Sequence, residues 1–450
     1  MGRANNRGIP RVIRLFPAEK REEAFLMIVL IFFVLLIGLI LIGVPVAVAM
    51  GALSAGAFAS MGFSEILAVM AQRIYNGTTG FTLLAIPFFI LAGNLMNTGG
   101  ITNRIFNFAN AMVGRWPGGL GQVNVISSVV FAGMSGAAVA DAAGLGLIEI
   151  KAMDDAGYDR KFSAAITAAS STIAPVIPPS IPFVIYSSVT GVSVPKLFAA
   201  GIVPGLLMAA AMCVVVYIIS KRRKYPVTPP MPWKLRLKYL WDAIPSLFCV
   251  VIIIGGIWTG IFTATEAAIV ACVYALILGL AYRELNRKLL VKIIYESIIS
   301  SCKTLFIIAV ANFLAYFMLH QRIPNQVIEG LMSISTSPAV LILLMIGVLL
   351  ILGCFLEGVS VILITVPIFL PIVDAIGMDY IQFGIIVVLA SMIGLLTPPV
   401  GMSLYAVCSV AKVRLGELSK AVLPYVIGIF AVLLICAFWP GLCLWLPNLM

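Results

Sequence analysis

Two proline-broken stretches hold the residues whose types and spacing best suit chemistry. Residues 174–188 read Ala-Pro-Val-Ile-Pro-Pro-Ser-Ile-Pro-Phe-Val-Ile-Tyr-Ser-Ser, and residues 395–409 read Leu-Leu-Thr-Pro-Pro-Val-Gly-Met-Ser-Leu-Tyr-Ala-Val-Cys-Ser. Pro178-Pro179 and Pro398-Pro399 lie 220 residues apart, each inside an apolar run and each followed by a tyrosine. A Pro-Pro pair frees backbone carbonyls and amides, which a bilayer tolerates only against protein or a watery cavity. Half-helices that stop there present two kinds of ligand. Their N-terminal amides, at the positive end of the helix dipole, suit a carboxylate. Their C-terminal carbonyls suit Na+ or another hard cation. Ser170, Ser171 and Thr172 precede the first break, and Thr397 directly precedes the second. Such hydroxyls either complete an ion shell or recap the freed backbone; as a cluster they favour the ion shell.

A second element lies 45 residues upstream of each Pro-Pro pair, at Gly133 and at Gly353. The first reads Gly133-Met-Ser-Gly-Ala-Ala, followed by Asp141; the second leads to Glu357-Gly358-Val359-Ser360. Small residues here let the backbone turn and approach a ligand closely, so each reads as the tip of a re-entrant hairpin. Ionisable residues inside apolar segments are functional candidates by default, and Asp141 and Glu357 adjoin the tips. Glu266 follows Thr263-Ala-Thr265 and reads as a helix start, where an acid is merely favourable. Asn94 suits equally a site wall or a bond to a neighbouring helix. One histidine and eight dispersed cysteines without a CxxC pair argue against metal chemistry. Gly133-Met-Ser135-Gly136 also fits a GxSG nucleophile pattern with His320 as base. That makes an intramembrane serine protease a distant alternative to a chain that is not an enzyme.

The elements that position these residues are set by composition. The chain is 62% hydrophobic and 10% charged, with a mean hydropathy of +1.12, where a soluble domain carries about 25% charged residues. Apolar runs near or above the length of a bilayer crossing recur, as at 24–61 and 197–219. The expected fold is an all-α polytopic membrane protein with about ten full spans, two re-entrant hairpins and two broken helices. The net charge of +11 is no nucleic-acid footprint, because the basic residues fall mainly in short loops between apolar runs.

Those loop charges give the halves opposite bias. Lys151, Arg160 and Lys161 follow the first hairpin, whereas 372–382 holds only Asp374 and Asp379. Lys196 alone follows the first break; Lys412, Arg414 and Lys420 follow the second. The first half ends in Lys221-Arg222-Arg223-Lys224, and the second ends without a basic residue. By the positive-inside rule the halves point in opposite directions. The expected organisation is therefore an inverted repeat. A polar tail occupies 1–26. The first repeat covers 27–220 with its hairpin at about 121–150, a cytoplasmic linker covers 221–240, and the second repeat covers 241–446 with its hairpin at about 338–371. The basic tail falls on the outer side in this count, so either translation starts at Met27 or the tail lies on the membrane surface. No cleavable signal peptide is evident. Residues 65–78 and 286–300 are semi-polar, and read either as interfacial arms or as ordinary loops with frayed helix starts.

Five stretches together resemble the large membrane subunit of tripartite ATP-independent periplasmic (TRAP) transporters, the DctM-like family. They are Ile86-Pro-Phe-Phe-Ile-Leu-Ala-Gly-Asn-Leu-Met, Met134-Ser-Gly-Ala-Ala-Val-Ala-Asp, Ala174-Pro-Val-Ile-Pro-Pro-Ser-Ile-Pro, Thr263-Ala-Thr-Glu-Ala-Ala and Leu396-Thr-Pro-Pro-Val-Gly-Met. Ala264 departs from the family, which often has Pro in the Thr-x-Thr-Glu element. The resemblance implies an elevator-type symporter of the bacterial inner membrane that uses Na+ as coupling ion and no organic cofactor. Its substrates are organic acids such as dicarboxylates and sialic acids. Its partners are a small membrane subunit (DctQ-like) and a periplasmic substrate-binding protein (DctP-like). The implied site draws on Asn94, Ser135, Gly136, Asp141, Ser171, Thr172, Pro178, Pro179, Glu357, Gly358, Thr397, Pro398, Pro399 and Gly401, with Na+ near Ser135, Thr172, Gly358 and Thr397. The nearest rival is a stand-alone Na+/organic-anion symporter of related architecture. Those carriers tend to place Ser-Asn-Thr at both tips, where this chain has Met134-Ser135-Gly136 and Glu357-Gly358-Val359.

Overall fold

The computed structural model describes residues 21–62, 66–98, 100–227, 229 and 231–450. Residues 1–20 of the expected tail lie outside the described residues. The first half comprises α1 (Arg21–Leu41), α2 (Val46–Ser60), α3 (Ile66–Asn76), α4 (Ala85–Thr98) and α5 (Ile101–Val113). A hairpin follows, α6 (Gly119–Ser135) with α7 (Ala138–Ala143) and α8 (Leu145–Asp155). Next come a broken helix, α9 (Arg160–Ser171) and α10 (Ile181–Thr190), and then α11 (Val194–Arg223). The second half opens with α12 (Trp233–Trp258), α13 (Ala264–Ala281), α14 (Arg287–His320) and α15 (Ile323–Ile334). It continues with α16 (Pro338–Phe355) and α17 (Gly358–Ala375), the arms of the expected second hairpin, a broken helix of α18 (Tyr380–Gly394) and α19 (Met402–Ala411), and α20 (Leu415–Phe438) with the short α21 (Pro440–Leu444). No strand occurs among the described residues.

Among the described residues, eight helices are long and apolar enough to cross a bilayer. They include α16 and α17, the arms expected to re-enter, so helix length alone does not separate a hairpin from a span. The semi-polar 286–300 stretch is the start of α14, a continuous helix of 34 residues. At 1.5 Å per residue it is about 51 Å long, well beyond the roughly 30 Å hydrocarbon core.

The 220-residue spacing extends to the helix boundaries. α9 starts at Arg160 and α18 at Tyr380, capped by Asp159 and Asp379, whose carboxylates accept from Lys161 N (3.1 Å) and Ile381 N (2.6 Å). Gly157 and Gly377, both left-handed, end the hairpins that precede them. Direction follows from end contacts. Lys161 at the start of α9 pairs with Glu417 at the start of α20 (3.2 Å). Gln382 near the start of α18 instead donates to the carbonyls of Cys436 and Ala437 at the end of α20 (3.0 Å each). The equivalent helices α9 and α18 thus point opposite ways.

The chain divides into two compact units. One comprises the described residues up to Gly80 together with Cys302–Met345 and Val359–Met378. Its core is aromatic: Phe58 packs on Phe313 and Phe317, with ring centroids 5.9 and 5.1 Å apart. Arg73 of α3 lies 4.1 Å from the Tyr316 ring centre. The other unit comprises Phe81–Ser301, Ile346–Gly358 and Asp379–Met450. Here α4 packs on α13, whose start is fixed by a capping box: Thr263 N donates to Glu266 Oε2 (2.8 Å) and Glu266 N to Thr263 Oγ1 (3.3 Å). That is the structural role expected of Glu266. The second unit contains the first hairpin, both breaks and the Gly353–Gly358 end of the second hairpin.

Candidate functional site

At the first tip α6 ends on Ser135, whose hydroxyl donates to Asp141 Oδ1. Asp141 is 2% exposed, and its Oδ2 has no hydrogen-bond partner. Gly136 turns the chain at φ 63°, and a Cβ there would lie 2.6 Å from the Pro179 carbonyl oxygen. The tip and the first break therefore meet backbone to backbone, a contact only glycine permits. Gly93 of α4 closes on Ser135 in the same way, with a Cβ at Gly93 reaching 3.1 Å from Ser135 Cα. Asn94, one residue on, turns elsewhere. Its Nδ2 donates to Ser297 Oγ of α14 (2.8 Å), the interhelical bond of its two roles, and its Oδ1 keeps acceptor capacity.

The backbone leaves α9 at Ser171 and re-enters a helix at Ser180. Ser180 caps α10, accepting from Phe183 N (3.3 Å) and donating to the Pro175 carbonyl (2.5 Å). The Pro178-Pro179 and Pro398-Pro399 peptides are both cis. Residues 171–187 are buried throughout, and among the described residues no hydrogen bond reaches the carbonyls of Pro178 or Pro179.

The hydroxyls beside the breaks recap their own helices. Ser171 donates to Ala168 O (2.9 Å), Thr172 to Ala169 O (2.6 Å) and Thr397 to Ile393 O (2.8 Å). Each oxygen keeps acceptor lone pairs, so recapping and cation binding are compatible. Ser170 does something else. It donates to Asn124 Oδ1 (2.6 Å), while Asn124 Nδ2 donates to Thr167 Oγ1 (2.7 Å), a buried net that ties α6 to α9. Asn124 escaped the sequence reading although an amide inside an apolar run was the available signal. Glu149 of α8, two turns past Asp141, escaped as well. It is 1% exposed with Oε1 unpartnered, and it lies in the apolar run Leu145-Gly-Leu-Ile-Glu-Ile.

The second break meets its hairpin through Gly401 N, which donates to Cys354 O of α16 (3.2 Å). A Cβ at Gly353 would lie 3.1 Å from Gly394 Cα, so α16 and α18 also cross backbone to backbone. Gly358 faces Ser391 and Met392, and Glu357 is exposed at the tip. Pro398 and Pro399 are exposed and Thr397 half-buried. Among the described residues no hydrogen bond reaches the carbonyls of Leu395, Thr397 or Pro399, and at the start of α19 the amides of Met402 and Ser403 and the buried Ser403 hydroxyl have no partner.

Both breaks thus set free carbonyls a few residues from a helix N-terminus, and each is joined to a hairpin. Among the described residues no cluster of three or more His, Cys, Asp or Glu could hold a metal ion; the oxygen donors here are carbonyls, hydroxyls and Asp141. In the turn between α8 and α9, Tyr158 donates to Pro226 O (2.5 Å), and burial pushes its phenol above the ordinary range. Of the two residues of the protease alternative, Ser135 donates to a carboxylate, and His320 packs its ring on Phe58 and Tyr316 at 5.6 and 6.0 Å.

Residues 33–442 match the family model described as the tripartite ATP-independent periplasmic transporter, DctM component. The chain is 42% identical to the sialic acid TRAP transporter large permease protein SiaM of Vibrio cholerae, over 92% of this chain and 97% of that one. It is 38% identical to the C4-dicarboxylate TRAP transporter large permease protein DctM of the same organism (94% and 98% covered). It is 36% identical to the 2,3-diketo-L-gulonate TRAP transporter large permease protein YiaN of Escherichia coli (92% and 98%). The crystal structure of the YdaH transporter of Alcanivorax borkumensis superposes with a TM-score of 0.60 at 14% identity, over 84% of this chain and 90% of that one, which is a likeness of fold. With its broken helices, its hairpins and this run of matches over nearly its whole length, the chain belongs to the DctM family of TRAP transporter large permease subunits.

Proposed function

We propose that this chain is the large membrane subunit of a Na+-coupled importer of an organic acid, which a periplasmic binding protein delivers and a small membrane subunit helps to carry. The chain itself is a multi-pass protein of the cell inner membrane. The observation that carries the reading is the chemistry of the breaks: free carbonyls for a hard cation and, at α19, unpartnered amides for a carboxylate. The relatives point the same way, since sialic acid, C4-dicarboxylates and 2,3-diketo-L-gulonate are all carboxylates. Na+ binds near Ser135 and Thr172 at the first break and near Gly358 and Thr397 at the second. The hairpins and broken helices move as the elevator, and the flanking helices form the scaffold. Alternating access follows from two oppositely directed repeats around one site.

The test is uptake in reconstituted vesicles, assayed with each component left out in turn. Transport is expected to need Na+, the small subunit and the binding protein together. Robust Na+-driven uptake by this chain alone would replace the tripartite reading with the stand-alone symporter.

A further inference from the structure

We propose that the second unit carries a binding site for an anionic phospholipid headgroup, distinct from the paired breaks. The start of α9, the end of α11 and the start of α20 enclose a cavity of about 520 Å³. Its polar lining is Asp159, Lys161, Arg222, Arg223, Glu417 and Lys420. Arg223 pairs with Asp159 (2.9 Å) and Lys161 with Glu417 (3.2 Å). Those pairs use both carboxylates. Arg222 and Lys420 have no ion-pair partner among the described residues, so the cavity holds two uncompensated cations. The remaining lining, Phe162, Ile219, Ala421 and Pro424, is apolar.

Three arguments select a lipid over a soluble anion. The site is built from helix ends, so in a bilayer it lies at headgroup depth, where basic pockets between helices take anionic headgroups. Its walls continue along α11 and α20 into apolar side chains left open, with Ile218, Leu423 and Ile427 between 45% and 62% exposed; these offer an acyl chain a path that a free phosphate has no use for. The two internal ion pairs occupy both carboxylates of the lining, which leaves Arg222 and Lys420 for a phosphodiester. One phosphatidylglycerol headgroup, with a single negative charge and a glycerol to hydrogen-bond the rim, matches this chemistry.

The experiment uses the full chain, purified in detergent and stripped of lipid, and follows its thermal unfolding. Phosphatidylglycerol is expected to raise the melting temperature by several degrees more than phosphatidylcholine. The excess should shrink in high salt, as screening weakens partly exposed contacts. In the exposed-residue variant R222Q/K420Q, affinity for phosphatidylglycerol should fall roughly tenfold or more, since each cation near the surface contributes to anionic-lipid binding. Equal stabilisation by phosphatidylcholine, or a salt-independent excess, would overturn the proposal. So would an unchanged response in the double variant. Inorganic phosphate matching the phosphatidylglycerol shift would reassign the cavity to a soluble anion. None of these outcomes bears on Na+-driven uptake, which tests the transport reading separately.

Discussion

The first and second proline breaks solve one backbone problem but are covered differently. At the first, everything from Ser171 to Ser187 is buried, and the hairpin tip seats Gly136 on the Pro179 carbonyl. At the second, Pro398 and Pro399 are exposed, and the hairpin is held through one amide, Gly401 N to Cys354 O. The tyrosines that follow repeat the contrast. Tyr186 is buried, donates to Tyr380 O (2.6 Å) and lies on Gly384, whereas Tyr405 is 52% exposed. The same sequence device therefore yields two environments. Buried, unbonded carbonyls near a buried carboxylate suit a small ion stripped of water, while an open helix N-terminus suits a larger acid arriving from solution.

The comparison breaks most sharply at its glycines. Gly136 and Gly401 are both left-handed, at φ 63° and 59°, so alanine at either costs about 1–2 kcal/mol of backbone strain. Space separates them. The new methyl meets the fixed Pro179 carbonyl at 2.6 Å in one case, and in the other the end of Leu404 at 3.0 Å and the Thr397 and Leu395 carbonyl oxygens at 3.2 and 3.3 Å. Gly136→Ala is expected to abolish Na+-driven uptake in vesicles, and Gly401→Ala to reduce it by roughly tenfold, the equivalent of about 1.4 kcal/mol. Equal losses, at matched levels of monodisperse protein, would mean that the two junctions are equally tight.

Next in size is the charge difference between the tips. Asp141 is buried with a free Oδ2, whereas Glu357 is exposed. Asp141→Asn keeps the shape and removes the anion, and should raise the Na+ concentration for half-maximal uptake by about tenfold or more, because a buried charge loses its counter-ion partner. Glu357→Gln should shift it less than about twofold, because the exposed Glu357 side chain is less tightly held by protein than Asp141. A larger effect at Glu357 would move the principal cation site to the second tip.

Much of this was legible in the sequence because prolines and glycines act through the backbone. The Pro-Pro spacing, the glycines 45 residues upstream and the small-residue tips located both junctions before any contact was known. The loop charges of Lys161, Arg223 and Lys420 anticipated that the starts of α9 and α20 and the end of α11 share one end of the fold, where they now line a cavity. Side-chain direction was not legible. Asn94 and Asn124 are both amides in apolar runs, yet one reaches α14 and the other bridges α6 to α9. Burial was not legible either, since it depends on which element packs over a motif. The two breaks look alike in sequence for that reason. Glu149 went unread in its apolar run, and only the packing of α8 carries it into the interior.

Accessibility tests the contrast without perturbing transport strongly. With the native cysteines replaced, Thr397→Cys should react with a water-soluble thiol reagent far faster than Thr172→Cys. Thr397 is half-buried beside two exposed prolines, and Thr172 is fully buried. Adding Na+ should slow the Thr397 reaction if the ion orders the second break. Comparable rates for the two positions would show that the first break opens to water as readily as the second.

The smallest expected effect separates recapping from ion binding. Thr172 and Thr397 each donate to a carbonyl of their own helix, a bond whose net contribution is about 1 kcal/mol. Valine removes the hydroxyl and keeps the β-branch, so stability alone should fall by that amount at either position. If the oxygens only recap, Thr172→Val and Thr397→Val will lower the melting temperature equally with and without Na+. If they also accept the cation through their lone pairs, each variant will lose part of the stabilisation that Na+ gives the wild-type chain, because a ligand bound to the native state alone stabilises it in proportion to its affinity. The loss should be greater for Thr172. At the buried break the ion has exchanged its water for protein oxygens, so a missing donor cannot be replaced from solvent. At the exposed break a water molecule can take the place of the Thr397 hydroxyl.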